Sequence, residues 1–218
     1  MKKIKFSGYN WEVRNYDGGP GPNKFSDTLA WVDKKGYLHL KIAKIGGVYN
    51  CAEVYLDKPL GYGTYTFEVE KRMFLDKRAV LGLFTYEDDE NEIDIEFSRW
   101  GFCLAPNFQF VVQPTIFGSY KKYYSFSKIS RSSFQWMPHA VSFKSNVWPS
   151  KPEWIFDTFD TYSPQSVGKE RVHLNLWLFQ GKAPKQEQEV IIKKFKFIKP
   201  SLKTQLINYK RRRRAIRT

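Results

Sequence analysis

Glu92, Asp94 and Glu96 occupy alternate positions in the stretch ENEIDIEF, residues 90–97, with Ile93, Ile95 and Phe97 between and after them. A strand points successive side chains to opposite faces, so the acids share one face and the apolar residues take the other. At a rise of about 3.3 Å per residue the Cα atoms of Glu92 and Glu96 lie roughly 13 Å apart. Long side chains leaning together over a concave sheet bring two carboxyls toward about 5–5.5 Å, where one can attack an anomeric carbon and the other can act as general acid/base. Asp94, between them, is placed to hydrogen-bond one Glu and help set its ionisation. Two readings follow from these residues. Facing water, the charges are screened and the strand is an ordinary solvated one. Facing a cleft, their repulsion helps keep one carboxyl protonated near neutral pH.

The elements that must carry such a strand read as strands throughout. GYLHLKI opens at a turn glycine and alternates Leu38, Leu40 and Ile42 inward against His39 and Lys41 outward. TYTFEVE alternates Tyr65, Phe67 and Val69 against Thr64, Thr66, Glu68 and Glu70. VYNCAEVYL, AVLGLFTY, EIDIEF, FQFVVQ, AVSFK, EWIFDTF, RVHLNLWLF and EVIIKKFKFI continue the series, with turn chemistry in DGGPGPN, DKKG, LGYG, EDDEN and GKAP. The one helical expectation is a short segment, SLKTQLINYKRR, near the end. The expected fold is all-β: two antiparallel sheets packed as a sandwich or jelly roll, one outer face curving into an open concave cleft.

The chain has 218 residues, enough for a sizeable core without division. We expect one domain over residues 1–200 and a basic C-terminal tail over 201–218. Net charge is +14, and the last twenty residues hold eight Lys and Arg with no acid, leaving +6 for the rest. That tail reads as a solvated terminus or as an arm for anionic polymers. Aromatics are 17% of residues, well suited to stacking on flat ligands. No apolar run reaches membrane-span length, and MKKIKFSGYNWEV has no apolar segment of signal-peptide type. The expected location is cytoplasmic, or extracellular if a leader has been trimmed. Cys51 and Cys103 form no metal pattern and read either as a pair bonded to each other or, preferably, as buried free thiols; His39, His139 and His173 lack ligand spacing, so no structural zinc site is expected.

The segment NEIDIEF resembles the Glu-x-Asp-x-Glu signature of glycoside hydrolase family 16, most closely as it stands in bacterial lichenases, the endo-β-1,3-1,4-glucanases. Four further segments are similar in the expected order: YNCAEVYLDKPLGYGTYTFEVE, LFTYEDDENEIDIEF, FQWMPHAVSF and HLNLWLFQG, together covering roughly residues 48–181. The resemblance implies a concanavalin A-like jelly roll, Glu92 as nucleophile, Glu96 as general acid/base and Asp94 assisting. It implies a polysaccharide substrate and no organic cofactor; some relatives hold a structural calcium ion, which this sequence neither supports nor excludes. A monomer is expected. The chain departs from the lichenase pattern at three places. Glu90 stands where a tryptophan is usual and Tyr55 where an arginine is usual, and no cysteine precedes Cys51 to pair with it.

Further cleft residues are expected on neighbouring strands. In RVHLNLWLF the alternate set Arg171, His173, Asn175 and Trp177 shares a face, with Trp177 as a platform for a pyranose and Asn175 for hydroxyls. His173 reads as structural. Glu53 matches a sugar-facing acid of the family, Trp100, Tyr86 and Gln109 flank the acidic strand, and Trp136 reads as core. The trough around the acids is expected to be free of bases. A retaining endo-β-glycanase on a β-glucan is the leading expectation, with a transglycosylase using the same carboxylates or a non-catalytic carbohydrate-binding module as alternatives.

Overall fold

The period-two patterns of the sequence become strands with one face in the core. The computed structural model describes residues 1–72, 75–115, 118–138, 140–157 and 168–201. In chain order the strands are β1 (Lys3–Phe6), β2 (Tyr9–Val13), β3 (Ala30–Val32), β4 (Leu38–Ile45), β5 (Val48–Asn50), β6 (Ala52–Leu56), β7 (Gly63–Arg72) and β8 (Ala79–Asp88). They continue with β9 (Asn91–Phe97), β10 (Phe108–Val112), β11 (Tyr120–Tyr123), β12 (Ser130–Met137), β13 (Ala140–Ser145), β14 (Glu153–Asp157), β15 (Arg171–Leu178) and β16 (Gln188–Ile198). One sheet runs β1-β2-β6-β15-β8-β9-β10-β11 and the other β14-β13-β12-β7-β16-β4-β3, with β5 paired to β4. All pairings between these strands are antiparallel, giving the expected jelly-roll sandwich.

The sheets meet through their inner faces. Ile93, Ile95 and Phe97 of β9 and Leu174, Leu176 and Leu178 of β15 share one apolar cluster with Leu38, Leu40 and Ile42 of β4 and Tyr65, Phe67 and Val69 of β7. Phe110 of β10 stacks on Phe143 of β13 across the gap, ring centroids 4.7 Å apart. At the other side Trp11 of β2 meets Phe195 of β16 edge-on at 5.5 Å. Full burial of each such ring contributes about 1.5–3 kcal/mol, so this interface dominates the fold. Trp136 is 1% exposed, a core residue as expected.

Several sequence expectations shift. VYNCAEVYL is two strands, broken at Cys51, which bridges in parallel to Phe25 and donates its N–H to Lys24 O. Cys51 is buried, but Cys103 is an exposed thiol in the β9–β10 loop, contrary to the expectation of two buried ones. β1, β2, β3 and β11 are short and carry few inward apolar residues, which is why no periodicity marked them. The inward face of β12 includes Ser130 and Ser132; Ser132 pairs with Ser145 of β13 hydroxyl to hydroxyl at 2.7 Å, so buried polar residues hid its alternation. In β16 the apolar residues Val190, Ile192, Phe195 and Phe197 break period two once, and the register shifts there between Ile192 and Lys194. His139, the expected C-terminal helix and all but the first residue of the basic tail lie outside the described residues.

Candidate active site

β9 lies between β8 and β10, and its alternation settles which way each acid points. Ile93, Ile95 and Phe97 enter the core, while Glu92, Asp94 and Glu96 line a cavity of about 920 Å³ on the opposite face of the sheet. The hairpin feeding β9 is held by Asp88, whose Oδ1 accepts from Glu90 N, Asn91 N and Asn91 Nδ2. That turn fixes the register in which Tyr86 opposes Glu92, Phe84 opposes Asp94 and Gly82 opposes Glu96. On the far side Gln109 opposes Glu96 and Val111 opposes Asp94.

The register extends these pairs into rows across the sheet. One row reads Lys122, Gln109, Glu96, Gly82, Asn175, Glu53. Its neighbour reads Tyr120, Val111, Asp94, Phe84, His173, Tyr55. A chain laid across the strands would meet the carboxylates midway, with an aromatic arm over β8, β15 and β6 and a polar arm over β10 and β11.

The carboxyls are far from their ordinary ionisation. Burial pushes Glu96 up to about 7; the Gln109 hydrogen bond and the Lys122 charge oppose that rise. Gln109 Nε2 donates to Glu96 Oε2 at 2.6 Å. Asp94 is 3% exposed, and burial, then the charges of Glu92 and Glu96, push it well above the carboxylate range. Burial raises Glu92 as well, while a hydrogen bond with Asp94 favours its ionised form. Asp94 Oδ2 is buried and meets no hydrogen-bond partner among the described residues. Protonation on this face would relieve the repulsion that three charges side by side bring.

Ten of the eleven residues expected at the cleft line this cavity, but not all are free to meet a ligand; Arg171 does not line it, its guanidinium lying over the Tyr55 ring beside Glu12. Tyr86 is beside Glu92 with its hydroxyl on Asp89 at 3.1 Å, and burial followed by that bond pushes its phenol to about 12. Trp100 sits in a left-handed turn at φ 51° and meets Trp177 edge-on at 6.1 Å, so two indoles form one end of the cavity. Asn175 Oδ1 accepts from Gly82 N at 3.2 Å. A Cβ at Gly82 would come to 2.5 Å from that oxygen, so any larger residue would have to displace the Asn175 amide.

Glu53 departs from expectation. It is 4% exposed with both oxygens engaged, Oε2 by Arg14 Nη1 at 2.8 Å and Oε1 by His173 Nδ1 at 2.7 Å. Burial alone would raise its pKa; the His173 bond and charge and the Arg14 guanidinium outweigh it and hold the carboxyl below the usual range. Arg14 also donates to Tyr16 O and Gly19 O and lies over the rings of Phe25 and Tyr16, tying the loop before Asn23 into the cavity wall. The trough is therefore not free of bases, since Arg14 and Lys122 both line it. No periodicity points to Arg14; its carboxylate partner Glu53 is 39 residues away. Among the described residues no cluster of three or more His, Cys, Asp or Glu side chains suits a metal ion.

No family model and no curated protein sequence matches the chain. Solved structures do. A prokaryotic beta-1,3-1,4-glucanase (lichenase) from a mouse hindgut metagenome superposes with TM-score 0.69 at 18% identity, over 92% of this chain and 99% of that one. The Bacillus licheniformis beta-glucanase gives 0.67 at 17% identity, over 87% and 92%. A protein of Mycobacterium tuberculosis described as an immunostimulatory antigen and pseudo beta-1,3-glucanase gives 0.68 at 16% identity, over 88% and 91%. At such identities the likeness is one of fold. The chain has the β-sandwich fold of these glucanases.

Proposed function

We propose that this protein is a retaining endo-β-glycanase that cleaves a β-glucan by double displacement. The observation that supports it most is the set of three carboxyls, Glu92, Asp94 and Glu96, lining the cavity from one face of β9. The fold neighbours named as beta-1,3-1,4-glucanase and beta-glucanase support a β-glucan as the substrate class. The neighbour called a pseudo beta-1,3-glucanase is a reminder that the fold alone does not imply cleavage, so the carboxyls carry the case.

In this mechanism the ionised form of Glu92, favoured by Asp94 against a burial that pushes its pKa up to about 8, attacks the anomeric carbon and forms a glycosyl ester. Glu96 gives its proton to the departing glycosidic oxygen, which leaves as an alcohol. Glu96, now a carboxylate, removes a proton from water; the hydroxide displaces Glu92 and the sugar leaves with its original configuration. Transfer to a second sugar hydroxyl instead of water uses the same steps.

The test is incubation with lichenan, laminarin, curdlan, xyloglucan and agarose, with reducing ends followed over time. Release from at least one β-glucan, with the β-anomer formed first by proton NMR, is the expected result. Saccharide affinity by calorimetry without any product would instead support the carbohydrate-binding module.

The polar arm gives a pH prediction. The Gln109 bond stabilises ionised Glu96, so Gln109→Leu should raise the Glu96 pKa. General acid catalysis needs the protonated form, and the alkaline limb of kcat/KM should move upward by about one pH unit, given 1.5 kcal/mol for a charge-assisted bond. A limb that stays or moves down removes Glu96 as the acid.

A further inference from the structure

A buried ion pair is an expensive way to build a wall, and it needs a reason. The Arg14 and Glu53 side chains are 8% and 5% exposed, and the third member of the set is His173. The His173 ring is stacked between Tyr55 and Phe84, 5.2 Å from each centroid, because the register puts it opposite Tyr55 on β6 and Phe84 on β8. Tyr86 closes a third side edge-on at 5.7 Å. The ring is thus held in plane and position by its neighbours, and the Glu53 carboxylate keeps the hydrogen on Nδ1. Nε2 is the remaining polar atom; no described residue bonds to it, and His173 lines the cavity. A histidine serving the core alone would have no need of so rigid a mount at a cleft wall.

We propose that His173 is a specificity-determining residue of the cleft, its Nε2 bonding a hydroxyl of the sugar bound on the aromatic arm. The proposal rests on the glycanase reading. Asp94, Phe84 and His173 follow one another along a row of the sheet, so His173 is about 10 Å from Asp94 by strand spacing. That reach meets the sugar beyond the cleaved bond, on the Phe84 side. A hydroxyl both donates and accepts, so the bond forms whether Nε2 presents a lone pair or a hydrogen. The ligand class is a neutral pyranose with a free hydroxyl at that point; a site that has pre-paid for this bond rejects a sugar lacking it.

The experiment uses a purified oligosaccharide from whichever polysaccharide the wild type cleaves. It is titrated by calorimetry into Glu92→Gln, Glu92→Gln/His173→Leu and Glu92→Gln/His173→Gln, with melting curves for all three. Expected is about tenfold weaker binding for the Leu variant, the worth of one hydrogen bond, with most of the affinity kept by the Gln variant. With Glu92 restored, His173→Leu should raise KM with little change in kcat. Equal affinity in the Leu variant and its parent overturns the inference, as does equal loss in the Leu and Gln variants at unchanged melting temperature. A wild type that cleaves nothing overturns the glycanase reading itself, and this inference with it; an active wild type indifferent to His173→Leu overturns this inference alone.

Discussion

Glu92→Gln should abolish glucan cleavage, lowering kcat on the order of 10⁴-fold or more while leaving the protein folded. The amide has nearly the shape of the carboxylate but cannot form the glycosyl ester, so no parallel route of similar rate remains. Glu96→Gln should differ in kind: the loss is large on a polysaccharide, whose leaving group needs a proton, and much smaller for the first step on an aryl glycoside, whose leaving group does not. Stability separates lost chemistry from lost folding. A carboxyl whose pKa is raised on folding, as burial raises Glu92, contributes fully below the ordinary carboxylate range and loses that contribution as pH rises through the raised value. The neutral amide has no such loss. Glu92→Gln should therefore match the wild type in melting temperature near pH 4 and exceed it near pH 8. Reducing-end assays and thermal melts at both pH values check this; activity within tenfold of wild type would remove Glu92 as nucleophile.

The second large effect belongs to stability. Arg14→Ala leaves Glu53, 4% exposed, with half its partners, and strips a donor from the carbonyls of Tyr16 and Gly19. Breaking a buried pair from one side costs about 3–5 kcal/mol, which for a chain of this size lowers the melting temperature by roughly 10 °C. Removing both charges should recover part of this, so Arg14→Met/Glu53→Gln should melt above Arg14→Ala. The pH dependence has the opposite sign to that of Glu92. The Glu53 pKa is depressed on folding, so its contribution is present above the ordinary carboxylate range and is lost as pH falls through the lowered value. The gap between wild type and Arg14→Ala should narrow in acid. A drop under about 2 °C at pH 7, below the effect of 1 kcal/mol, would mean that the loop is held by other contacts.

What the sequence by itself determined is local: which residues share a face. Period two in ENEIDIEF put three acids opposite three apolar residues, and burial in the core decided which side faced out. The same logic placed His173, Asn175 and Trp177 together on β15. It failed where inward positions are polar, as at Ser130 and Ser132, or where strands are too short to show a period, as in β1 to β3.

Tertiary structure alone decided everything that depends on register between strands distant in sequence. Gln109 became the partner of Glu96 and not a free ligand for sugar, because β10 pairs β9 with those two residues opposed. Arg14, Glu53 and His173 come from three separate segments, yet their atoms meet within 2.8 Å. An alternation pattern is a property of one strand and carries no information about its neighbour's offset. Strand pairing sets that offset, and a slip of one residue would turn the whole acidic face of β9 into the core.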